Sequence, residues 1–271
     1  MIREFENYLR AIRGYSENTI KSYRTDIETF VRYIRATRPD ARWSNITRED
    51  VDNFLTYQYN RGLKPATTNR QISAISSLYR YFQREGKIIT NPCQYESRRK
   101  QENTLPSIIP INHIKRAYER SQGATKMMIG ILATTGIRLQ EMLDLTWRDI
   151  DFDNCTLRIS GKGGKERIVH TEKAVLTPLE SIRQYSRPEL KLFYISQRQA
   201  RTLIYEALRP YSNSKQLSPH AIRHTFATEL AKNGENVTTI AKILGHAHIE
   251  TSQKYINMAE IPTSSRGISL T

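Results

Sequence analysis

Apolar residues in the first third of the chain recur at three- and four-residue steps, the period of an amphipathic helix. Between Ser16 and Ala36 they are Ile20, Tyr23, Ile27, Phe30, Val31 and Ile34, and Ser16 is placed to cap the first turn. A second stripe, Val51, Phe54, Leu55 and Tyr57 to Tyr59, follows Thr47 and Asp50, which have the spacing of a capping box, and ends near Gly62. Pro65 opens a third helix with Thr67, Ile72, Ile75, Leu78, Tyr79 and Phe82 facing inward, and Gly86 stops it. Beyond Asn91-Pro92 the segment QYESRRKQENTLPSIIP loses the period and carries Pro106 and Pro110. It reads as a linker at residues 97–110, dividing a helical domain at 1–96 from a second domain at 111–271. In that domain helices near Ile111 to Ser121, near Thr125 to Thr135 and from Leu139 give way to a period of two. RDIDF, TLRIS and ERIVH, joined by Asp153-Asn154 and the glycine-rich GKGGK, predict a small antiparallel three-stranded sheet. Helices resume to the C-terminus, so the predicted fold class is mainly α, one helical domain followed by an α+β domain.

Composition adds a partner to this picture. The 271 residues include 42 Lys and Arg against 27 Asp and Glu, a formal charge of +15. Residues before Leu105 contribute 19 basic and 12 acidic side chains, and those from Leu105 onward 23 and 15, so the excess is shared rather than held in a tail. Charge of this size on a chain that is 38% hydrophobic points to a polyanion, most often nucleic acid, held by two domains. Cys93 and Cys155 are the only cysteines, too few for a disulfide framework or a zinc knuckle. No signal-peptide segment opens the chain, and the apolar stretch around Met127 to Ala133 is far short of the ~20 residues that span a bilayer. These features predict a soluble, cytoplasmic protein without membrane contact.

TTGIRLQEM, LSPHAIRHTFATEL and ILGHAHIETSQKYIN concentrate charged and imidazole groups beside turn residues. Ser218-Pro219 is a good helix start, and it places His220 and Arg223 on one face in the first turn. A helix N-terminus carrying an arginine fork suits a phosphate. Other motifs fail. GKGGKE lies between two strands, not in the strand-to-helix setting of a phosphate-binding P-loop, and HAIRH lacks the glutamate of a zinc protease.

The same words and spacings resemble the tyrosine site-specific recombinases, also called the phage-integrase family, most closely its short Xer-like members. The family's first arginine matches Arg138 in Thr135-Gly136-Ile137-Arg138, supported by Glu141, and its hairpin lysine matches Lys162. The His-x-x-Arg box is His220 and Arg223, the Leu-Gly-His box supplies His246, and Tyr255 follows nine residues later as the nucleophile. The resemblance covers essentially the whole chain, with the helical half as a core-binding domain and the second half as the catalytic domain. Departures are His170, where a proline commonly follows the hairpin strand, and the segment between Leu192 and Tyr211.

Phosphodiester attack builds negative charge on nonbridging oxygens, which Arg138 and Arg223 are suited to stabilise. Tyr255, with an ordinary pKa near ~10, needs a proton acceptor, for which His220 is the candidate; His224 is read as structural. Lys162 would protonate the departing 5′ oxygen, and His246 would donate a hydrogen bond to the phosphate. The resemblance implies a 3′-phosphotyrosyl intermediate needing neither metal nor ATP, on double-stranded DNA. It also implies a homotetramer on two recombination sites, or an assembly with a related recombinase, with Ile261, Ile268 and Leu270 in the tail docking on a neighbour. A type IB topoisomerase and a DNA-binding protein with a decayed site are the competing readings. Integration or excision of mobile DNA and chromosome-dimer resolution both remain open.

Overall fold

A computed structural model describes residues 1–94, 106–161, 164–212, 216–246 and 249–259. The chain forms two compact units, Met1–Asn103 and Thr104–Thr271.

The first unit contains four described helices, α1 (Ile2–Ala11), α2 (Glu17–Thr37), α3 (Arg48–Asn60) and α4 (Pro65–Arg84). Their starts follow local chemistry: Ser16 Oγ accepts from the Thr19 N–H, and Thr47 and Asp50 cap each other reciprocally. Ile20, Ile27 and Phe30 of α2 pack against Ile75, Leu78 and Phe82 of α4, and all six are buried. Asp26, 2% exposed, is held across this contact by a bidentate pair from Arg70 at 2.8 and 2.9 Å. In α3 the predicted stripe shifts: Gln58 is buried one turn after Phe54, whereas Tyr57 and Tyr59 face solvent. Similarly Thr68, not Thr67, is buried at the start of α4.

The second unit begins before the predicted linker ends. Ile109 is fully buried in its core, its N–H donating to Thr225 Oγ1 (2.8 Å) and its carbonyl accepting from that hydroxyl (2.9 Å). The helices are α5 (Ile111–Arg120), α6 (Gly123–Thr135), α7 (Leu139–Asp144), α8 (Lys173–Glu180), α9 (Gln197–Leu208), α10 (Pro219–Lys232), α11 (Val237–Leu244) and α12 (Glu250–Ala259). Between α7 and α8 lies an antiparallel sheet in the order β1 (Ile150–Asp151), β2 (Thr156–Ser160), β3 (Glu166–His170). Opposed Leu157 and Val169 point into the core together with Ile159. RDIDF yields only two strand residues, because Trp147–Asp149 forms a 3₁₀ turn capped by Thr146 and Asp149. The apolar α6, with Met128, Ile129, Ile131 and Leu132 buried, runs through the centre and contacts α5, α9 and α10. The fold is therefore mainly α with one small antiparallel sheet, as the hydrophobic pattern predicts. The tail positions Ile261, Ile268 and Leu270 lie outside the described residues.

Candidate active site

The chain leaves α6 through Gly136, whose φ of +63° is in the left-handed region. A Cβ there would stand 2.3 Å from Phe226 Cδ1 of α10, so backbone and packing both demand glycine. This turn delivers Arg138 to the start of α7. Its N–H donates to Glu141 Oε2 and its Nη1 to Glu141 Oε1, both at 2.8 Å. Arg167 from β3 also forks onto this carboxylate at 3.2 and 2.8 Å, while its Nε donates to the Ile243 carbonyl at 2.8 Å. Glu141 thus ties α7, β3 and the end of α11 together. Burial alone would raise its carboxyl pKa, but the bonds from Arg167 and Arg138 outweigh burial and hold it below the ordinary range.

The end of α11 organises the rest. Gly245, at φ +63°, closes the helix, and the carbonyls of Leu244 and Gly245 face the guanidiniums. Arg223 Nη2 donates to the Leu244 carbonyl at 2.8 Å and Nη1 to the Gly136 carbonyl at 2.7 Å. Arg138 Nη2 donates to the Gly245 carbonyl at 3.0 Å. The partial negative charge of a helix C-terminus, with Glu141 beside it, lets two cations sit close together. Arg223 is only 3% exposed; burial first, then the charge of Arg138, pushes its pKa down to about 10, so it stays cationic at neutral pH. The bonds among the described residues use three of its five N–H groups, leaving donors for an anion.

His246 follows Gly245 directly. Its Nε2 lies 2.9 Å from Arg223 Nη2 and its Nδ1 lies 2.7 Å from Ser252 Oγ. A guanidinium only donates, so Nε2 is the acceptor and Nδ1 carries the proton. Burial, then Arg223 and Arg138, lowers the His246 pKa to about 4, in keeping with a neutral ring. In this state His246 accepts at Nε2, whereas the family resemblance casts it as a donor to phosphate. Donation there requires Arg223 to release it and the ring to change its protonation.

Tyr255, on α12, is 1% exposed, with its ring stacked 6.4 Å from that of His246. Burial raises its phenol pKa, opposed by Arg223 and Arg138, so the hydroxyl is protonated at neutral pH. Its oxygen lies 2.8 Å from His224 Nδ1. His220, the acceptor expected from sequence, is exposed one turn earlier on α10, its ring stacked 6.4 Å from that of His224. Lys254 Nζ sits 5.1 Å from the centre of the Tyr255 ring. Lys162 lies outside the described residues.

The structure brings Arg138, Arg223, His246 and Tyr255 together from separate elements and adds Arg167, His224, Ser252 and Lys254, which the sequence motifs leave without a role in the site. Among the described residues no group of His, Cys, Asp and Glu is arranged to hold a metal ion, and no helix is long and apolar enough to cross a membrane.

Residues 102–260 match the phage integrase family, and residues 2–86 match the phage integrase N-terminal SAM-like domain. The chain belongs to the phage integrase family. Tyrosine recombinase XerD of Listeria monocytogenes is 28% identical over 281 residues, covering 96% of this chain and 95% of that protein. XerD of Oceanobacillus iheyensis is 30% identical over 278 residues, covering 96% and 94%. The fold is shared with the crystal structure of XerH site-specific recombinase bound to palindromic difH substrate: TM-score 0.75, 22% identity, covering 96% of this chain and 82% of that one. This integrase-family chain is a tyrosine recombinase close to Xer, an enzyme that cleaves and rejoins DNA strands.

In this family member, Glu141→Gln should destabilise the second unit by about 3 kcal/mol at pH 7, because two guanidiniums lose their buried counter-charge. A depressed carboxyl pKa gives stability that is present above the unfolded value near ~4.3 and lost as the pH falls through the folded value. The gap between wild type and variant in denaturant unfolding should therefore close on acidification below about pH 4. A gap independent of pH would contradict the assigned role of Glu141.

Proposed function

We propose that this chain is a site-specific DNA recombinase whose nucleophile is Tyr255. Its hydroxyl oxygen attacks a phosphodiester, the bond to the 5′ oxygen breaks, and a 3′-phosphotyrosyl link remains. Attack on that link by the 5′ hydroxyl of another strand reverses the step and restores the DNA. Arg138 and Arg223 stabilise the charge that develops on the nonbridging oxygens, and Lys162 supplies the proton to the departing 5′ oxygen. His220, at the exposed end of the imidazole pair, lies on the solvent side of the site. His246 becomes a phosphate contact once Arg223 releases its Nε2, with Ser252 holding the ring through Nδ1.

The observation that carries this reading is the convergence of Arg138 and Arg223 on the carbonyl end of α11, directly beside His246 and its ring neighbour Tyr255. Two guanidinium cations with unused N–H donors next to a phenol are suited to phosphoryl transfer. The partner is double-stranded DNA, in keeping with the charge of +15. The working assembly is four protomers on two sites, of this chain alone or with a related recombinase, and the roles open to it are integration or excision of mobile DNA and chromosome-dimer resolution.

A nicked duplex that loses a short fragment on cleavage cannot religate and should trap the enzyme as a covalent adduct. Screening DNA from around the gene supplies candidate sites. Formation of an adduct on one specific sequence supports the reading; absence of any adduct, with DNA binding intact, would sink it.

A further inference from the structure

Strand cleavage by Tyr255 needs an acceptor for its proton, and the identity of that acceptor rests on the recombinase reading. Among the described residues the hydrogen-bond partner of the Tyr255 hydroxyl is His224, with Nδ1 and Oη 2.8 Å apart and the rings 5.7 Å apart at 43°. Hydrogen-bond reach is the first requirement of a general base. His220 has instead the His224 ring as its described aromatic neighbour and lies toward solvent. Arg223 precedes His224 by one residue, about 100° around the helix, so one turn of α10 sends a guanidinium to the carbonyls of α11 and an imidazole to the phenol of α12.

We propose that His224, rather than His220, takes the Tyr255 proton during cleavage. As the Oη–phosphorus bond forms and the bond to the 5′ oxygen breaks, the hydroxyl proton passes to His224 Nδ1. In rejoining, His224 returns it to the departing phenolate.

The charges facing His224 make this acceptor responsive to substrate. Lys254 and Tyr255 face it from α12, and His220 and Arg223 belong to its own helix. Desolvation first, then Lys254, His220 and Arg223, keeps the free ring neutral, with a pKa lowered to about 4. A neutral ring has an acceptor nitrogen available, but at that pKa it is a weak base. A phosphodiester bound beside Arg223 and Lys254 offsets their charge and restores basicity when there is a phosphorus atom to attack.

The test measures single-turnover cleavage of the trapping duplex by the full chain, across pH, for wild type, His224→Ala, His224→Asn and His220→Ala. A second duplex carries sulfur in place of the scissile 5′ oxygen; a thiolate leaves without needing a proton, so it rescues a missing acid but not a missing base. With DNA binding retained, His224→Ala should cleave both duplexes about 100-fold more slowly or worse. Added imidazole should restore the rate in proportion to its free-base form, which loss of a merely structural residue would not allow. His224→Asn keeps an acceptor oxygen near the Nδ1 position without its basicity, so it should fold and bind DNA yet remain equally slow. Wild-type cleavage by His224→Asn would overturn the proposal, as would faster cleavage by His224→Ala or imidazole rescue confined to His220→Ala. Failure of the underlying recombinase reading is a separate result: wild type would form no adduct, or the adduct would survive Tyr255→Phe.

Discussion

Tyr255→Phe should form no detectable covalent adduct on a duplex that traps the wild-type enzyme, while its affinity for that duplex stays unchanged. The substitution removes one oxygen from a side chain that is 1% exposed. The phenyl ring keeps its stacking on His246, and the local cost is the His224 hydrogen bond, about 1 kcal/mol. Loss of the adduct would therefore report lost chemistry rather than lost structure, which an unfolding midpoint lowered by only about 2–4 °C would confirm. Ser252, the other alcohol in this hydrogen-bond network, is engaged with His246 Nδ1.

Arg223→Lys should slow single-turnover cleavage by about 100-fold or more, the usual loss for one fixed donor aimed at developing charge. Arg223 holds three acceptors at once, the Gly136 and Leu244 carbonyls and His246 Nε2. A lysine ammonium reproduces neither that planar fork nor its fixed charge, since burial readily strips a lysine of its proton. DNA binding should change little, because most of the 42 basic residues lie elsewhere. A cleavage rate within 10-fold of wild type would mean that Arg223 is mainly a brace between α6 and α11.

The elements legible in the sequence are those fixed by local chemistry. Ser16, the Thr47–Asp50 pair and Pro65 mark helix starts that the structure repeats, and alternation in TLRIS and ERIVH marks β2 and β3. α1 does not stand out, because Arg3, Glu4 and Arg10 surround the few residues it buries, and one of those, beside Phe5 and Leu9, is the charged Glu6. Ile109 lies in a proline-punctuated segment without period, and it is buried in the core of the second unit with its backbone bonded to Thr225, 116 residues away.

The site divides in the same way. Arg138, His220, Arg223, His246 and Tyr255 stand out because short words and spacings carry them. Arg167 is invisible in that sense: it reads as an ordinary strand residue until α11 brings the Ile243 carbonyl and α7 brings Glu141 to it. His224 reads as structural because it shares a helical face with His220, and nothing local says which imidazole α12 will meet. The donor state of His246 likewise depends on Arg223 and Ser252 arriving together.

The central claim, that DNA strands are exchanged through Tyr255, is tested most directly by locating the covalent bond. The trapped adduct is digested with nuclease and protease, and the modified peptide is sequenced by mass spectrometry. The account predicts a nucleotide joined through its 3′ phosphate to the Tyr255 oxygen. A nucleotide on any other residue, or one joined through a 5′ phosphate, would contradict it.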